Sequence, residues 1–300
     1  MKRLREKPSK LVLLIIGLLA LWMLWLLYSF MTPEPLPVVP EDALYRNQNA
    51  TIEDRVADLL SYMTLEEKIG QMALVEKNSL RKLGDIKGYS LGGMLSGFGG
   101  KPEDNTPEGW KQMVETFVTE SHSSRLGIPL LYGIDAIHGH SNIPGATVFP
   151  HFIGLGATGD ETLVQAVAEA TAQELLATGI RWSYSPTYDM PTDIRWGRTY
   201  EAFSDDPVLV SRLGSAHLHG LQQSESLGTS TIAVLATPKH YIGAGGMTWD
   251  TSSNENFKID QGTTPANEER LRTEYLPPFI EAVESGAMSV MAGLNSWDDT

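Results

Sequence analysis

The sequence predicts a parallel α/β fold. Six short apolar runs read as strands, helical patterns lie between several of them, and polar residues gather at the C-terminal ends of the runs. Six strands are too few to close an eight-stranded barrel, yet active-site barrels keep their chemistry at those strand ends. The expected architecture is therefore a (β/α)8 TIM-like barrel, incomplete in this chain at about six strands, preceded by an N-terminal transmembrane or signal helix.

The N-terminal segment comes first. Lys2, Arg3, Arg5, Lys7 and Lys10 stand against Glu6 alone, and no charge occurs from Leu11 to Met31. A helix of that length rises about 31 Å, enough to cross the hydrocarbon core. Its basic flank belongs in the cytoplasm, which sends the rest of the chain outside. The run is longer than the apolar part of a secretory signal, and no Ala-x-Ala site follows it. Residues 1–31 are thus expected to be a membrane anchor or signal segment, with an uncleaved anchor favoured. Residues 32–50 are proline-rich, lack periodicity and read as an extended linker. The folded domain is expected over residues 51–300.

Within that domain, Ile52, Val56, Leu59, Leu60 and Met63 recur at helical spacing. Thr64 to Glu67 matches a capping box and opens a second helix. Strand candidates follow at 70–76, 92–97, 129–135, 180–187, 233–241 and 289–294. A helix is predicted from Asp160 to Thr178, with Gly179 as its stop. Another opens at Asp206-Pro207, with Asp as cap and Pro at the first helical position. A third covers about Asn267 to Ser285, interrupted by Pro277-Pro278 and closed by Gly286.

Composition removes several functions. The formal net charge is −14, which disfavours nucleic acid as a partner. The chain has no cysteine, so disulfides, thiolate metal sites and a cysteine nucleophile are excluded.

Three segments carry chemistry: 133–151, 193–207, and 237–246 with Asn254-Glu255-Asn256 after it. A pyranose presents several hydroxyls that both donate and accept. Carboxylates accept from them, Arg and Lys donate to them, and such charge-assisted bonds are the stronger class. Asp135, Arg198, Lys239, His240 and Glu255 supply both signs of charge, which suits a neutral polyol better than an anion. Trp196, Tyr200 and Trp297 offer flat surface nearby in sequence.

The pieces GIDAIHGH, RWGRTYEAFSDDP, TPKHYIGAGG and SVMAGLNSWDD resemble glycoside hydrolase family 3, in the branch of β-glucosidases and exo-acting β-glucan hydrolases. They stand in the family's order, and the likeness covers roughly Thr51 to Thr300. The resemblance implies retaining hydrolysis of terminal non-reducing β-D-glucosyl residues from β-glucosides or β-glucan oligosaccharides, with no cofactor and no metal. It implies that Asp135 grips hydroxyls at the non-reducing end. Arg198, Lys239 and His240 would line the same glucosyl subsite, with Glu255 as a supporting acid. It also places the nucleophile, an aspartate in Ser-Asp-Trp, beyond Thr300, and the acid/base further on. This chain would then supply the sugar cradle. Ala244 stands where many relatives have Asp, which bears on substrate preference. The run Lys-His-Tyr-Ile-Gly-Ala-Gly from Lys239 to Gly245 sets the chain apart from the β-N-acetylglucosaminidase branch.

Two other readings compete. One is a membrane-anchored sugar-binding module without catalysis. The other is a metal-dependent barrel hydrolase, since His138-Gly-His140 follows a strand candidate as a zinc motif can. Some residues also have plainer readings. Arg195 and Arg198 have Asp193, Glu201, Asp205 and Asp206 within reach, and an ordinary ion pair is expected for Arg195 and sugar contact for Arg198. His217 and His219 are expected to be surface or packing residues.

Overall fold

The computed structural model describes residues 14, 17–25, 36–97, 99–222 and 233–298. The chain divides into two compact units, Met1–Thr64 and Leu65–Thr300.

In the first unit, Leu14 and residues 17–25 are helical and exposed. The rest of the expected span Leu11–Met31 lies outside the described residues. Among the described residues, no helix is long and apolar enough to cross a membrane. Of the expected linker, 32–35 also lie outside. Leu44–Arg46 form a 3-10 turn, and helix α1 spans Ile52–Tyr62. Thr51 caps α1 by accepting from the Asp54 N–H. Tyr45 N donates to Asp58 Oδ2 at 2.9 Å, and Arg55 Nε donates to the Tyr45 carbonyl at 2.9 Å. The last part of the proline-rich stretch is therefore bonded to α1, not extended.

The second unit begins with α2, Leu65–Gln71, and then builds its sheet. The strands are β1 (Leu74–Glu76), β2 (Gly93–Ser96), β3 (Leu131–Ile134), β4 (Trp182–Ser183) and β5 (Leu235–Ala236). They pair in the order β1-β2-β3-β4-β5, every pair parallel. A doubly wound sheet reverses its strand order at a switch point. This one keeps sequence order throughout, which is the winding of a barrel. The described strands form five neighbours of such a barrel and do not show its closure.

Two further parallel pairs follow. β6 (Lys239–Tyr241) pairs with β8 (Met291–Ala292), and β7 (Thr263–Thr264) with β9 (Ser296–Trp297). The run 233–241, predicted as one strand, is thus divided into β5 and β6. Pro238 lies between them and has no N–H for the ladder. Thr237 N donates instead to both Ser183 O and Ser185 O. The first predicted strand is also shortened. Residues 70 and 71 complete α2, so β1 begins only at Leu74.

Short α3 (Asp85–Gly88) precedes β2, and α4 (Pro107–His122) connects β2 to β3. Helix α4 was not anticipated from the sequence. Its start follows the rules: Thr106 accepts from the Gly109 N–H and Pro107 occupies the first turn. After β3 come α5 (Phe152–Gly156) and α6 (Glu161–Ala177). Asp160 caps α6 through the Leu163 N–H, and Gly179 follows with φ +78°. Helix α7 (Pro207–Gln222) packs on α6. A Cβ on Gly220 would meet Gln165 O at 2.4 Å and Ala168 Cβ at 2.6 Å, so the two helices cross too closely for any side chain there.

The predicted helix near 267–285 is present as α8 (Glu268–Arg270), a π turn (Leu271–Tyr275) and α9 (Leu276–Glu284). Its prolines lie in the first turn of α9 and do not break it. The irregularity falls one turn earlier, in the π segment. One main core forms between sheet and helices, with Trp110, Ile134, Phe152, Leu175, Leu213 and Leu221 almost wholly buried.

Candidate active site

The segments that follow β3, β4 and β5 meet at one place. Asp135 directly follows β3, Asp189 lies beyond β4, and Lys239 and His240 are part of β6. The loop after β4 is tied to β6 by backbone bonds. Lys239 N donates to Pro186 O at 3.1 Å, and Tyr188 N donates to Lys239 O at 2.6 Å. Three peptide bonds around this corner are cis: Ser185–Pro186, Lys239–His240 and Tyr241–Ile242.

Arg198 arrives on a tight turn that ends in the 3-10 segment Thr199–Glu201. Trp196 fastens that turn. Its indole is 2 % exposed, packs with Ala244, Met247 and Ile259, and donates to Asp260 Oδ1 at 3.1 Å. Trp196 was expected to offer flat surface to a ligand. Burial gives it a structural task instead. Tyr200 stays partly exposed and packs edge-to-face with His151, with centroids 4.5 Å apart. Trp297 is partly exposed and donates through its indole to the Ala266 carbonyl.

Four of the five predicted residues are joined in two groups. Lys239 and Asp135 form an ion pair, with the ammonium almost wholly buried. Arg198 Nη1 lies 3.1 Å from His240 Nε2. His240 Nδ1 lies 2.7 Å from Asp189 Oδ2. Arg198 also makes the ion pair considered as its plainer role, through Nε and Nη2 to both oxygens of Glu201 at 2.7 Å. Burial disfavours the Arg198 charge, but the bonds and charge of Glu201 outweigh it, and Asp189 and Asp260 add to that. The guanidinium is held firmly protonated.

Glu255 stands apart. It is exposed in the turn 254–257, and among the described residues no hydrogen bond joins it to the other four. Asp189 and Glu201, both buried, belong to the cluster and were not predicted as members. Asp189 carried a legible signal, since it is a carboxylate just past the strand candidate 180–187. Arg195 behaves as expected, paired with Asp193 on the surface.

The histidines of the zinc reading do not converge. His140 is fully buried, its Nε2 3.1 Å from Thr178 Oγ1 and its ring edge-on to Trp110. Burial holds its pKa down to about 4. His138 packs against His151, with centroids 4.1 Å apart. Among the described residues, no group of three or more His, Asp or Glu is placed to hold a metal ion. His217 is a packing residue, buried against Phe152.

The cluster thus holds two cations, Lys239 and Arg198, and three carboxylates, Asp135, Asp189 and Glu201. Both signs of charge meet where three strands end. That arrangement can donate to and accept from neighbouring hydroxyls of one neutral ligand.

Known proteins point the same way. Residues 64–300 match the model of the glycosyl hydrolase family 3 N terminal domain. The chain is 29 % identical over 273 residues to a periplasmic beta-glucosidase of Salmonella typhimurium, covering 88 % of this chain and 32 % of that protein. It is 32 % identical over 254 residues to a beta-xylosidase of Formosa agariphila, covering 82 % and 28 %. Among solved structures, an exo-1,3/1,4-beta-glucanase from a Pseudoalteromonas species superposes with a TM-score of 0.74 at 35 % identity, covering 86 % of this chain and 32 % of that one. The chain therefore spans about a third of the length of these proteins. The four ordered motifs, the consecutive parallel strands and these matches agree: the chain belongs to glycosyl hydrolase family 3.

Proposed function

We propose that this chain supplies the glucosyl-binding subsite of a hydrolase that removes terminal non-reducing β-D-glucosyl residues from β-glucosides or β-glucans. The observation that carries the proposal is the buried ammonium of Lys239. It has three donors and, among the described residues, one partner, Asp135. A buried cation needs further acceptors, and the vicinal hydroxyls of a sugar provide them. Asp135 accepts from the sugar on its exposed side. Arg198 has two N–H donors beyond those bound to Glu201 and His240, and they reach a second hydroxyl pair. Glu255 has no part in this reading.

The reaction class is retaining hydrolysis. It uses two carboxyl groups about 5–5.5 Å apart, one attacking the anomeric carbon and one acting as acid and then base. We assign neither role to a residue of this chain. Its contribution is orientation, which removes much of the entropic part of the barrier. The basic flank and apolar run up to Met31 further support a site outside the cytoplasm on an N-terminal anchor. Release of the complete protein by alkaline carbonate without detergent would argue against that anchor.

The test is turnover of p-nitrophenyl β-glucoside by the complete protein. Hydrolysis that falls sharply in Asp135→Ala supports the proposal. A folded complete protein that binds glucose but cleaves no β-glucoside would favour a sugar-binding module instead.

A further inference from the structure

The ring of His240 sits between one buried carboxylate and one guanidinium, and each constrains its protons. Asp189 is 4 % exposed, and both of its oxygens turn to the same residue. Oδ2 lies 2.7 Å from His240 Nδ1, and Oδ1 accepts from the His240 backbone N–H at 3.3 Å. This double contact fixes the ring relative to its own main chain. A carboxylate only accepts, so Nδ1 carries a proton. On the other side, Arg198 Nη1 lies 3.1 Å from Nε2. A guanidinium only donates, so Nε2 offers its lone pair. The two constraints select one form, the neutral Nδ1–H tautomer, and neither could be met by the other.

Glu201 completes the chain. It holds the opposite side of the same guanidinium through Nε and Nη2. Thr187 Oγ1 in turn donates to the Glu201 carbonyl, which ties the turn to the loop after β4. Arg198 is therefore gripped from two directions, by a carboxylate and by an imidazole lone pair.

We infer that Asp189 is a positioning residue that locks His240 in the Nδ1–H tautomer, and that the Nε2 lone pair so presented sets the orientation of Arg198. Asp189 is buried beneath His240 and acts through it. In this arrangement Nε2 of His240 donates nothing to a sugar. Hydroxyl donation at this corner falls to Arg198 and Lys239. The inference rests on the glucosyl-site reading only for its kinetic consequence. The tautomer can be tested without it.

The experiment uses the complete protein labelled with 15N-histidine. Two-bond proton–nitrogen correlations report which ring nitrogen is protonated, and the His240 signals are assigned by their loss in His240→Gln. The expected spectrum shows His240 protonated at Nδ1 and bare at Nε2. Asp189→Asn keeps the shape of the side chain but cannot accept from both N–H groups. In that variant the tautomer preference is expected to weaken, and kcat/KM on a β-glucoside to fall about 10- to 100-fold, the loss of one charge-assisted hydrogen bond. Protonation at Nε2 in the wild type overturns the inference. So does a folded Asp189→Asn variant with unchanged tautomer and unchanged kcat/KM. If Asp189→Asn does not fold, the wild-type spectrum alone decides. If the complete protein cleaves no β-glucoside, the proposed function fails, and the spectrum still tests the lock.

Discussion

The side chain of Lys239 is 3 % exposed, and that of its partner Asp135 is 55 % exposed. The pair is asymmetric: a cation taken out of water is neutralised by a carboxylate that stays largely in it. The two ends should therefore respond differently to substitution.

Asp135→Ala leaves a buried ammonium without its partner, which should cost about 1–3 kcal/mol of stability as well as activity. Lys239→Met removes the buried charge and keeps an unbranched side chain only one atom shorter. Its stability should stay within about 1 kcal/mol of the wild type. Its turnover of β-glucosides should fall by about 100-fold, as when a preorganised donor is lost. Urea denaturation and steady-state kinetics on the same two variants check the contrast.

Glu255 provides the control. It is exposed and outside the bonded cluster. Glu255→Gln is expected to change kcat/KM by less than about twofold, within the ordinary range of a surface substitution. A tenfold loss would return this residue to the subsite.

Acid should weaken the fold through its buried histidines. Burial pushes His140 from 6.5 down to about 4 and His217 down to about 3. Between these values and 6.5 the unfolded chain takes up a proton that the folded chain refuses. Stability is therefore present above pH 6.5 and is lost as pH falls toward 4. For His140 alone the full loss is about 3 kcal/mol. Urea midpoints at pH 7, 5.5 and 4.5 should fall in that order, and His217→Gln should flatten the slope.

Gly245 lies where two site loops touch. A Cβ there would meet Met190 O at 2.4 Å, a backbone atom that cannot turn aside. The carbonyl of Gly245 also accepts from Thr192 N at 2.9 Å, leading into the turn of Arg198. Gly245→Ala should cost about 1–3 kcal/mol through overpacking. It should also raise KM, because the turn shifts with the loop. A melting curve and KM within error of wild type would contradict this.

Dialysis against a chelator should leave both melting temperature and β-glucoside turnover unchanged. The reason is geometric. His138 and His140 have different surroundings, one against His151 and one beneath Trp110. Loss of activity restored by zinc would revive the metal-dependent reading.

Much of this was legible in the chain itself. The helices at 52–62, 161–177 and 207–222 announce themselves through apolar spacing and through Thr51, Asp160 and Pro207 at their starts. Those are local signals, set within one turn of backbone. Asp135 and the Lys239-His240 pair could be placed at strand ends because each directly ends or follows an apolar run. The order of the motifs was enough to identify the family.

The tertiary structure decided what depends on residues far apart in sequence. His240 meets Asp189 across 51 positions and Arg198 across 42. No spacing rule predicts such contacts, because they arise where parallel strands end side by side. The same holds for Trp196, whose aromatic ring looked available to a ligand until Met247 and Ile259 closed over it. Glu255 looked equally suitable in the sequence, and the fold left it in solvent. The sequence determined which residue types could bond to hydroxyls. Parallel strand packing decided which of them share one site, since a hydrogen bond needs about 3 Å and only the folded chain sets that distance.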